Sequence, residues 1–223
     1  MKNISEILDY LNTFVSENKK QLFKKTIEHR TNHITVVLED IFQPHNASAA
    51  LRSCDIFGIQ NVHIIENYNT YKINPKVVMG ASKWLTITKY NKSTNNSLKC
   101  IEELKKKGYK IIATTPYAHN NLISDFPIDQ KTAFFFGTEL KGLSTTVFEN
   151  ADGFVKIPMY GFTESLNISV SVAITLYEVT KRLKESDIPW QLSEKERLEQ
   201  LFVWTKKIVK SSDLLIEKFN NSK

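Results

Sequence analysis

The sequence predicts an α/β fold in which a mainly parallel sheet is flanked by helices, with further helical extensions at both ends. Short apolar runs alternate with helical segments through the middle of the chain, which is typical of βαβ units and parallel strands. Both ends show helical periodicity without strand-like runs. We therefore predict an N-terminal extension over residues 1–32, a central domain over 33–184 and a C-terminal extension over 185–223.

The N-terminal extension is predicted to contain two helices, of which the second is strongly basic. Apolar residues recur at helical spacing from Ile4 to Val15, with Ser5 as a candidate cap. A second apolar pattern, from Leu22 to Ile27, lies among basic side chains. These are Lys19, Lys20, Lys24, Lys25 and Arg30.

Six short apolar runs predict the strands of the central domain. They are residues 34–38, 62–65, 84–87, 110–113, 133–136 and 154–157. Helices are predicted between several of these strands and after the last one. They are residues 46–57, 94–107, 144–150 and 166–184. Ser193 and Glu196 then form a capping-box pattern that predicts one more helix in the C-terminal extension.

The net charge of +6 is concentrated at the two ends of the chain. Residues 1–33 carry +2, residues 34–180 carry +1 and residues 181–223 carry +3. Basic extensions favour a polyanionic partner. Lysine-rich helix faces that are merely solvated would give the same composition, so charge alone leaves both interpretations open.

Several classes of protein are disfavoured by what the sequence lacks. No apolar run approaches membrane-spanning length, and residues 1–18 carry acidic side chains that a secretory signal does not have. Cys54 and Cys100 lie far apart, which suggests neither a zinc site nor a disulfide framework. We expect a protein of the reducing cytoplasm, without a membrane or a metal. The GxGxxG and GxxxxGK[ST] patterns are absent, which disfavours a dinucleotide site and excludes P-loop phosphoryl transfer.

Residues 157–173 are the most informative stretch of the chain. Pro158 ends an apolar strand and Gly161 permits a sharp bend. Small polar residues then recur inside an otherwise apolar segment, at Ser165, Asn167 and Ser169. A helix start needs only one cap. The surplus predicts a polar pocket at the carboxyl end of the strand, where open α/β sheets bind ligands.

This stretch resembles motif 3 of the SpoU branch of the SPOUT RNA methyltransferases. Residues 34–58 resemble motif 1 and residues 135–144 resemble motif 2, in the order of that family. Residues 80–85, Gly-Ala-Ser-Lys-Trp-Leu, are similar to a stretch of the TrmH group of tRNA guanosine 2′-O-methyltransferases. The resemblance covers roughly residues 20–182, and three motifs in order make it specific.

The resemblance implies a homodimer that uses S-adenosylmethionine to methylate guanosine 18 in the D-loop of tRNA. It also implies a deep trefoil knot in the C-terminal part of the domain, which periodicity alone would not predict. A sister enzyme acting on ribosomal RNA is the main alternative. Such relatives often have a separate N-terminal RNA-binding domain, for which about 30 residues are too few. A non-catalytic RNA-binding protein on the same scaffold is a third possibility.

The resemblance also assigns site residues. Arg52 maps to the principal catalytic residue, and four polar residues surround it: Asn46, Glu139, Ser165 and Asn167. The cofactor contacts map to Thr114, Gly137, Ile157 and Leu166. The basic residues expected to bind RNA are Lys19, Lys20, Lys24, Lys25, Arg30, Lys181 and Arg182.

Ordinary structural roles remain open for several of these residues. Asn46 is a good helix cap, and Arg52 could pair with Asp55 or Glu139. The segment 137–142 could be a plain glycine turn. If the enzyme assignment is right, a ribose hydroxyl is a weak nucleophile, so transfer needs positioning and charge stabilisation at the oxygen. Arginine stays protonated, which favours Arg52 as stabiliser rather than base.

Overall fold

The computed structural model describes residues 3–118, 121–138 and 141–221, which form two compact units. Residues 31–190 make a central α/β unit, and residues 3–30 with 191–221 make a helical unit. The central unit contains one parallel sheet, so the predicted fold class is confirmed. The trefoil knot stays a prediction.

The sheet has six parallel strands in the order β3-β2-β1-β5-β4-β6. Their bounds are β1 Ile34–Glu39, β2 Asn61–Ile65, β3 Thr86–Tyr90, β4 Lys110–Thr114, β5 Thr132–Phe136 and β6 Gly153–Val155. Every residue of β1 is buried, as expected for a central strand covered on both faces. Because all strands run the same way, their carboxyl ends meet at one edge of the sheet.

Helices cover both faces of the sheet. They are α3 Pro44–Ile56, α4 Pro75–Val78, α5 Asn96–Lys106, α6 Thr145–Asn150 and α7 Ile168–Lys184. On one face, α3 and α7 pack against Val36 and Leu38 of β1. On the other, α5 and α6 pack against Val37. The alternation of side chains along β1 therefore supplies two separate cores.

Two predicted strands are displaced in the structure. Residues 84–87 were expected to be extended, but Trp84 closes the 3₁₀ turn Ala81–Lys83 by donating its amide to the Ala81 carbonyl at 2.9 Å. Strand β3 therefore begins at Thr86. The last strand was expected over 154–157, but Lys156 instead donates its amide to the Asn121 carbonyl, so pairing with β4 stops at Val155.

Two helix starts also differ from prediction. Helix α3 begins at Pro44, so Asn46 lies inside its first turn and is not the cap. Helix α7 begins at Ile168, two residues later than expected. Its cap is Asn167, whose Oδ1 accepts the Ser169 amide at 2.9 Å.

The helical unit contains four helices. They are α1 Ile4–Asn12, α2 Glu17–Ile27, α8 Glu194–Ile208 and α9 Ser212–Asn221. The capping box of Ser193 and Glu196 is confirmed, whereas α1 is capped by Asn3 rather than Ser5. Helix α9 was not predicted. Among the described residues, no helix is long and apolar enough to cross a bilayer.

Candidate active site

A cavity of about 400 Å³ opens at the carboxyl ends of β4, β5 and β6. The loops after these strands and the start of α7 form its walls. Its lining includes all four residues expected to contact the cofactor and one expected catalytic residue. These are Thr114, Gly137, Ile157, Leu166 and Ser165. Residues separated by up to 52 positions in sequence therefore share one cavity.

The loop after β5 is closed on itself beside this cavity. Thr138 and Gly142 exchange backbone hydrogen bonds of 2.9 and 3.0 Å, and Gly142 adopts a φ of +66°. Thr114, at the end of β4, donates its hydroxyl to the Phe135 carbonyl at 2.7 Å. That bond ties the ends of two neighbouring strands together and fixes this wall of the cavity.

Position 137 requires a glycine because its backbone packs closely against the backbone of Gly142 and Leu143. A Cβ at this position would lie 2.1 Å from the Gly142 carbonyl carbon and 2.3 Å from the Leu143 nitrogen. No side chain can occupy that space without moving the loop. The glycine therefore has a structural cause that does not depend on any ligand.

Asn46 and Asn167 are in direct contact, although 121 residues separate them. The Asn167 Nδ2 donates to Asn46 Oδ1 at 3.1 Å. The Asn167 Oδ1 is occupied by Ser169, whose amide and hydroxyl donate to it at 2.9 and 2.7 Å. These bonds orient the Asn167 amide and link α7 to the buried Asn46 of α3.

Arg52 lies on the exposed face of α3, outside the cavity lining. Within the part of the chain that the structure describes, its side chain makes no ion pair, so the considered pair with Asp55 is not formed. Glu139, the other carboxylate considered and an expected catalytic residue, lies outside the described residues.

The sequence interpretation missed a buried carboxylate beside the cavity. Glu39, the last residue of β1, is buried and accepts hydrogen bonds from the Ser144 amide at 2.8 Å and the Ser144 hydroxyl at 2.7 Å. The Ser97 hydroxyl of α5 donates to it as well. Ser144 caps α6 directly after the cavity loop. The available signal was a carboxylate ending a largely apolar run, where a buried charge needs partners.

The lysines expected to bind RNA differ in their surroundings on α2. Lys24 and Lys25 are exposed. Lys20 pairs with Glu17 at 3.4 Å, and the Lys19 ammonium lies 5.3 Å from the centre of the Phe23 ring. The strongest candidates for phosphate contact on this helix are therefore its last two lysines.

Two arginines expected to bind RNA are engaged within the protein instead. Arg30 is buried, with its guanidinium 5.4 Å from the Trp204 ring centre. Arg182 donates to the carbonyls of Phe126 and Ile123, both at 2.8 Å. These contacts favour structural roles for both arginines. Lys181, which precedes Arg182 on α7, is exposed.

Metal ligation has no evident site in the described ranges. No three side chains of His, Cys, Asp or Glu there are grouped so that they could hold an ion. Cys54 and Cys100 are both buried, and neither forms a disulfide.

The central unit is an α/β domain with an open parallel sheet and a cavity at the carboxyl edge, which is where such domains bind ligands. Residues 33–177 match the model of the SpoU rRNA methylase family, and the chain belongs to this family. It is 43% identical over 212 residues to a Borreliella burgdorferi protein named tRNA (guanosine(18)-2'-O)-methyltransferase, with 95% of each chain covered. A protein of the same name from Aquifex aeolicus is 30% identical, covering 89% of this chain and 92% of the relative.

Solved structures agree with the family assignment. The TrmH/SpoU tRNA modifying enzyme of A. aeolicus superposes with a TM-score of 0.76 at 30% identity, over 87% of this chain and 98% of that chain. The SpoU methyltransferase AviRb of Streptomyces viridochromogenes, solved in complex with AdoMet, has a TM-score of 0.61 over 73% of this chain and 62% of its own. At 23% identity, that likeness is one of fold alone.

Proposed function

We propose that this protein transfers a methyl group from S-adenosylmethionine to the ribose 2′-hydroxyl of guanosine 18 in the D-loop of tRNA. The observation that carries the proposal is the 43% identity, over 95% of both chains, to a relative named for that reaction. Guanosine 18 is proposed rather than a ribosomal nucleotide because the relative of the same name from a second organism also matches along most of its length.

The cavity fits the proposed cofactor. Its volume of about 400 Å³ lies in the range of small-molecule sites, roughly 300–1,000 Å³. Leu143 and Ile157 offer apolar walls for a flat base, and the carboxylate of Glu164 lies at the lining, where a cationic group would be favoured. We propose that the cofactor is held by Thr114, Gly137, Ile157 and Leu166. When bound, it supplies an electrophilic methyl group on a positively charged sulfonium.

Arg52 is proposed to stabilise the charge that develops on the ribose oxygen and to hold the neighbouring phosphate. Arginine side chains act as hydrogen-bond donors rather than as bases. Asn46 and Asn167 are proposed to position the reacting ribose, since their mutual hydrogen bond orients both amides. Ser165 lines the cavity beside Leu166 and Glu139 completes the proposed polar set.

A homodimer is proposed, in which Arg52 of one subunit completes the site of the other. The exposed face of α3 that carries Arg52 also carries Ile56, which is 66% exposed. On the adjacent helix α7, Val170 and Tyr177 are exposed as well. Apolar side chains at the surface of two packed helices are expected at a subunit contact. A two-fold interface would bring each Arg52 toward its partner.

The exposed lysines of both units are proposed to bind the tRNA backbone. Lys24 and Lys25 on α2, with Lys19 and Lys20 beside them, and Lys181 on α7 are the contacts proposed. Lysine binds phosphate as a point charge, so these contacts would give affinity rather than sequence selectivity. The proposed compartment is the cytoplasm, with which two cysteines outside any disulfide are compatible.

The test is methylation of an unmodified tRNA transcript with labelled S-adenosylmethionine, followed by mapping of the modified nucleoside. We expect one 2′-O-methylguanosine at position 18. A transcript with adenosine at position 18 is the matched control and should stay unlabelled. With ribosomal RNA offered in a parallel reaction, label that appears only there would favour the alternative substrate. RNA binding without any transfer would favour the non-catalytic alternative.

A further inference from the structure

Residues 67–85, which connect β2 to β3, form a basic and aromatic segment that has no part in the proposed active site. We call it the β2–β3 loop. It contains Lys72, Lys76 and Lys83 and no aspartate or glutamate. The residues from 34 to 180 carry a net charge of only +1, so this loop is a local concentration of positive charge.

One end of the loop is held by a buried carboxylate. Asp40, directly after β1, adopts a φ of +51°, which is uncommon for a residue with a side chain. Its Oδ1 accepts the backbone amides of Asn67, Tyr68 and Asn69 at 2.7, 2.8 and 3.2 Å. The backbone at Tyr68 is thus fixed, while the Tyr68 side chain is 91% exposed.

The middle of the loop is fixed to the helix that carries Arg52. The Asn74 amide donates to the Ser48 hydroxyl of α3 at 2.7 Å, and that hydroxyl donates in turn to the Pro44 carbonyl at 2.6 Å. Three apolar residues of the loop are buried in the adjoining core, namely Val78, Ala81 and Leu85. The loop therefore presents its outer side chains in a defined position beside the proposed catalytic helix.

The outer side chains have the chemistry of an RNA contact. Lys72 and Lys76 are exposed, and within the described residues neither has an ion pair. Lys83 is also exposed, with its ammonium 5.2 Å from the Trp84 ring centre. RNA loops offer unstacked bases to aromatic rings, and phosphates to lysines.

We propose that the β2–β3 loop binds the unpaired region of the RNA substrate, with Tyr68 stacked on an unpaired base and its three lysines on phosphates. The proposal rests on the proposed RNA substrate. A second copy of this chain is the less suitable occupant, because two such loops would face each other with three positive charges each and no carboxylate. Proteins that bind RNA loops commonly stack an aromatic ring on an unpaired base, and Tyr68 would serve that purpose.

The first test compares Tyr68→Leu with Tyr68→Phe. Both retain an apolar side chain, but only phenylalanine can stack. We expect Tyr68→Leu to raise the tRNA Kd and KM on the order of ten- to a hundredfold, as for loss of one stacked base, and Tyr68→Phe to match wild type. S-adenosylmethionine affinity and the molar mass in solution should be unchanged in both. Equal tRNA affinity for Tyr68→Leu and wild type would overturn the proposal. A change of oligomeric state instead of a change in tRNA affinity would overturn it as well.

The second test neutralises the three lysines with Lys72→Gln, Lys76→Gln and Lys83→Gln together. The slope of log affinity against log salt should fall by about two to three, since each phosphate contact contributes roughly 0.7–0.9. A matched triple variant removes three exposed lysines that lie outside the β2–β3 loop, at the end of α5 and the starts of β4 and β5. It changes Lys106, Lys110 and Lys131 to glutamine. An equal loss of slope in this control would mean a general charge effect and would overturn the assignment.

Failure of this proposal can be told apart from failure of the proposed function. A wild-type protein that methylates guanosine 18, with tRNA binding insensitive to both sets of changes, refutes only the loop. A wild-type protein that binds tRNA through Tyr68 without methylating it refutes only the proposed reaction. A protein with no affinity for tRNA refutes both.

Discussion

Glu39 holds Ser144 through two hydrogen bonds, one from the backbone amide and one from the hydroxyl. The carboxylate ends the central strand, and the serine begins α6 immediately after the loop that lines the cavity. A third donor, the Ser97 hydroxyl, comes from α5. One buried side chain therefore fixes the cavity loop against two helices without touching the cavity itself.

Replacing Glu39 with alanine should destabilise the protein and weaken cofactor binding together. The buried Ser97 hydroxyl and the half-buried Ser144 donors would lose their acceptor, at a cost of about 1–3 kcal/mol for each buried group left unsatisfied. Chemical denaturation and calorimetric titration with S-adenosylmethionine would measure both effects. Ser144→Ala is the graded control, because it removes the helix cap for about 1 kcal/mol but leaves the Ser97 bond in place. Unchanged cofactor affinity in Glu39→Ala would show that the loop does not depend on this carboxylate.

Replacing Arg52 with alanine should abolish methyl transfer and leave cofactor affinity nearly unchanged. Loss of a charge partner at a developing oxyanion costs on the order of 3–4 kcal/mol, a hundredfold or more in rate. The position is exposed and makes no ion pair with described residues, so folding should be preserved. Single-turnover transfer with saturating tRNA and cofactor is the measurement. Lys210→Ala, which removes an exposed cation from the helical unit, is the control. Transfer at the wild-type rate in Arg52→Ala would remove it from the active site.

Mixing two inactive variants should recover activity if the site is shared between subunits. Arg52→Ala retains the cavity, whereas Leu166→Trp retains Arg52 and obstructs the cavity. Random pairing of the two in a C₂ dimer leaves one intact site in half of the dimers, or about a quarter of wild-type activity. Light scattering should report about twice the 25.7 kDa monomer. A monomer throughout, or a mixture as inactive as its components, would argue against the shared site.

Neutralising the basic cluster of α2 should weaken tRNA binding without changing the maximal rate. Lys19, Lys20, Lys24 and Lys25 contribute uniform binding in this proposal, so kcat at saturating tRNA should be preserved. The salt slope should fall by roughly one for each phosphate that the variant no longer binds. The double change of Lys24 and Lys25 to glutamine should account for most of the effect, because these two are exposed while Lys20 pairs with Glu17. Wild-type affinity and slope in the quadruple variant would mean that the cluster is only a solvated face.

Stability should fall on acidification below neutral pH because of His63. Burial in β2 lowers the pKa of His63 from 6.5 to about 4, and the nearby Lys107 adds to the effect. Between these values the unfolded chain binds a proton that the folded chain does not, so the free energy of unfolding decreases as pH falls from 6.5 to 4. The full effect is about 3 kcal/mol. His63→Gln should flatten the dependence in denaturation curves recorded between neutral pH and the lowered pKa. An equally steep dependence in the variant would assign the effect to other groups.

The central strands of the sheet could be predicted from the sequence. A strand that is buried on both faces is an almost continuous apolar run. Residues 34–38 fall within β1 for that reason. Residues 84–87 did not follow the rule, because Trp84 and Leu85 are as apolar as a strand yet complete a turn that follows Gly80 in a left-handed conformation. Apolar composition indicates that a segment is buried, and both a strand and a turn can be buried.

The candidate site was predictable in its members and not in their contacts. The spacing of Ser165 and Asn167 marked a polar pocket, but the bond from Asn167 to Asn46 depends on how α3 and α7 pack. The charges of Arg30 and Arg182 suggested RNA contacts. A sequence does not show which carbonyl or ring lies beside a guanidinium, so it could not indicate their contacts within the protein. Long-range partners decide between these roles.

The position of β1 in the sheet affects how the chain acquires its structure during synthesis. β1 pairs with β2 soon after both are made, but its other partner, β5, follows about 100 residues later. At about 5–20 residues per second, that delay is on the order of 5–20 seconds. Closing so long a loop costs about 4 kcal/mol in chain entropy, and such non-local pairing is slow. Until it forms, one edge of this fully buried strand is unpaired and Glu39 has not met Ser144, so the nascent chain depends on its later half for protection from aggregation.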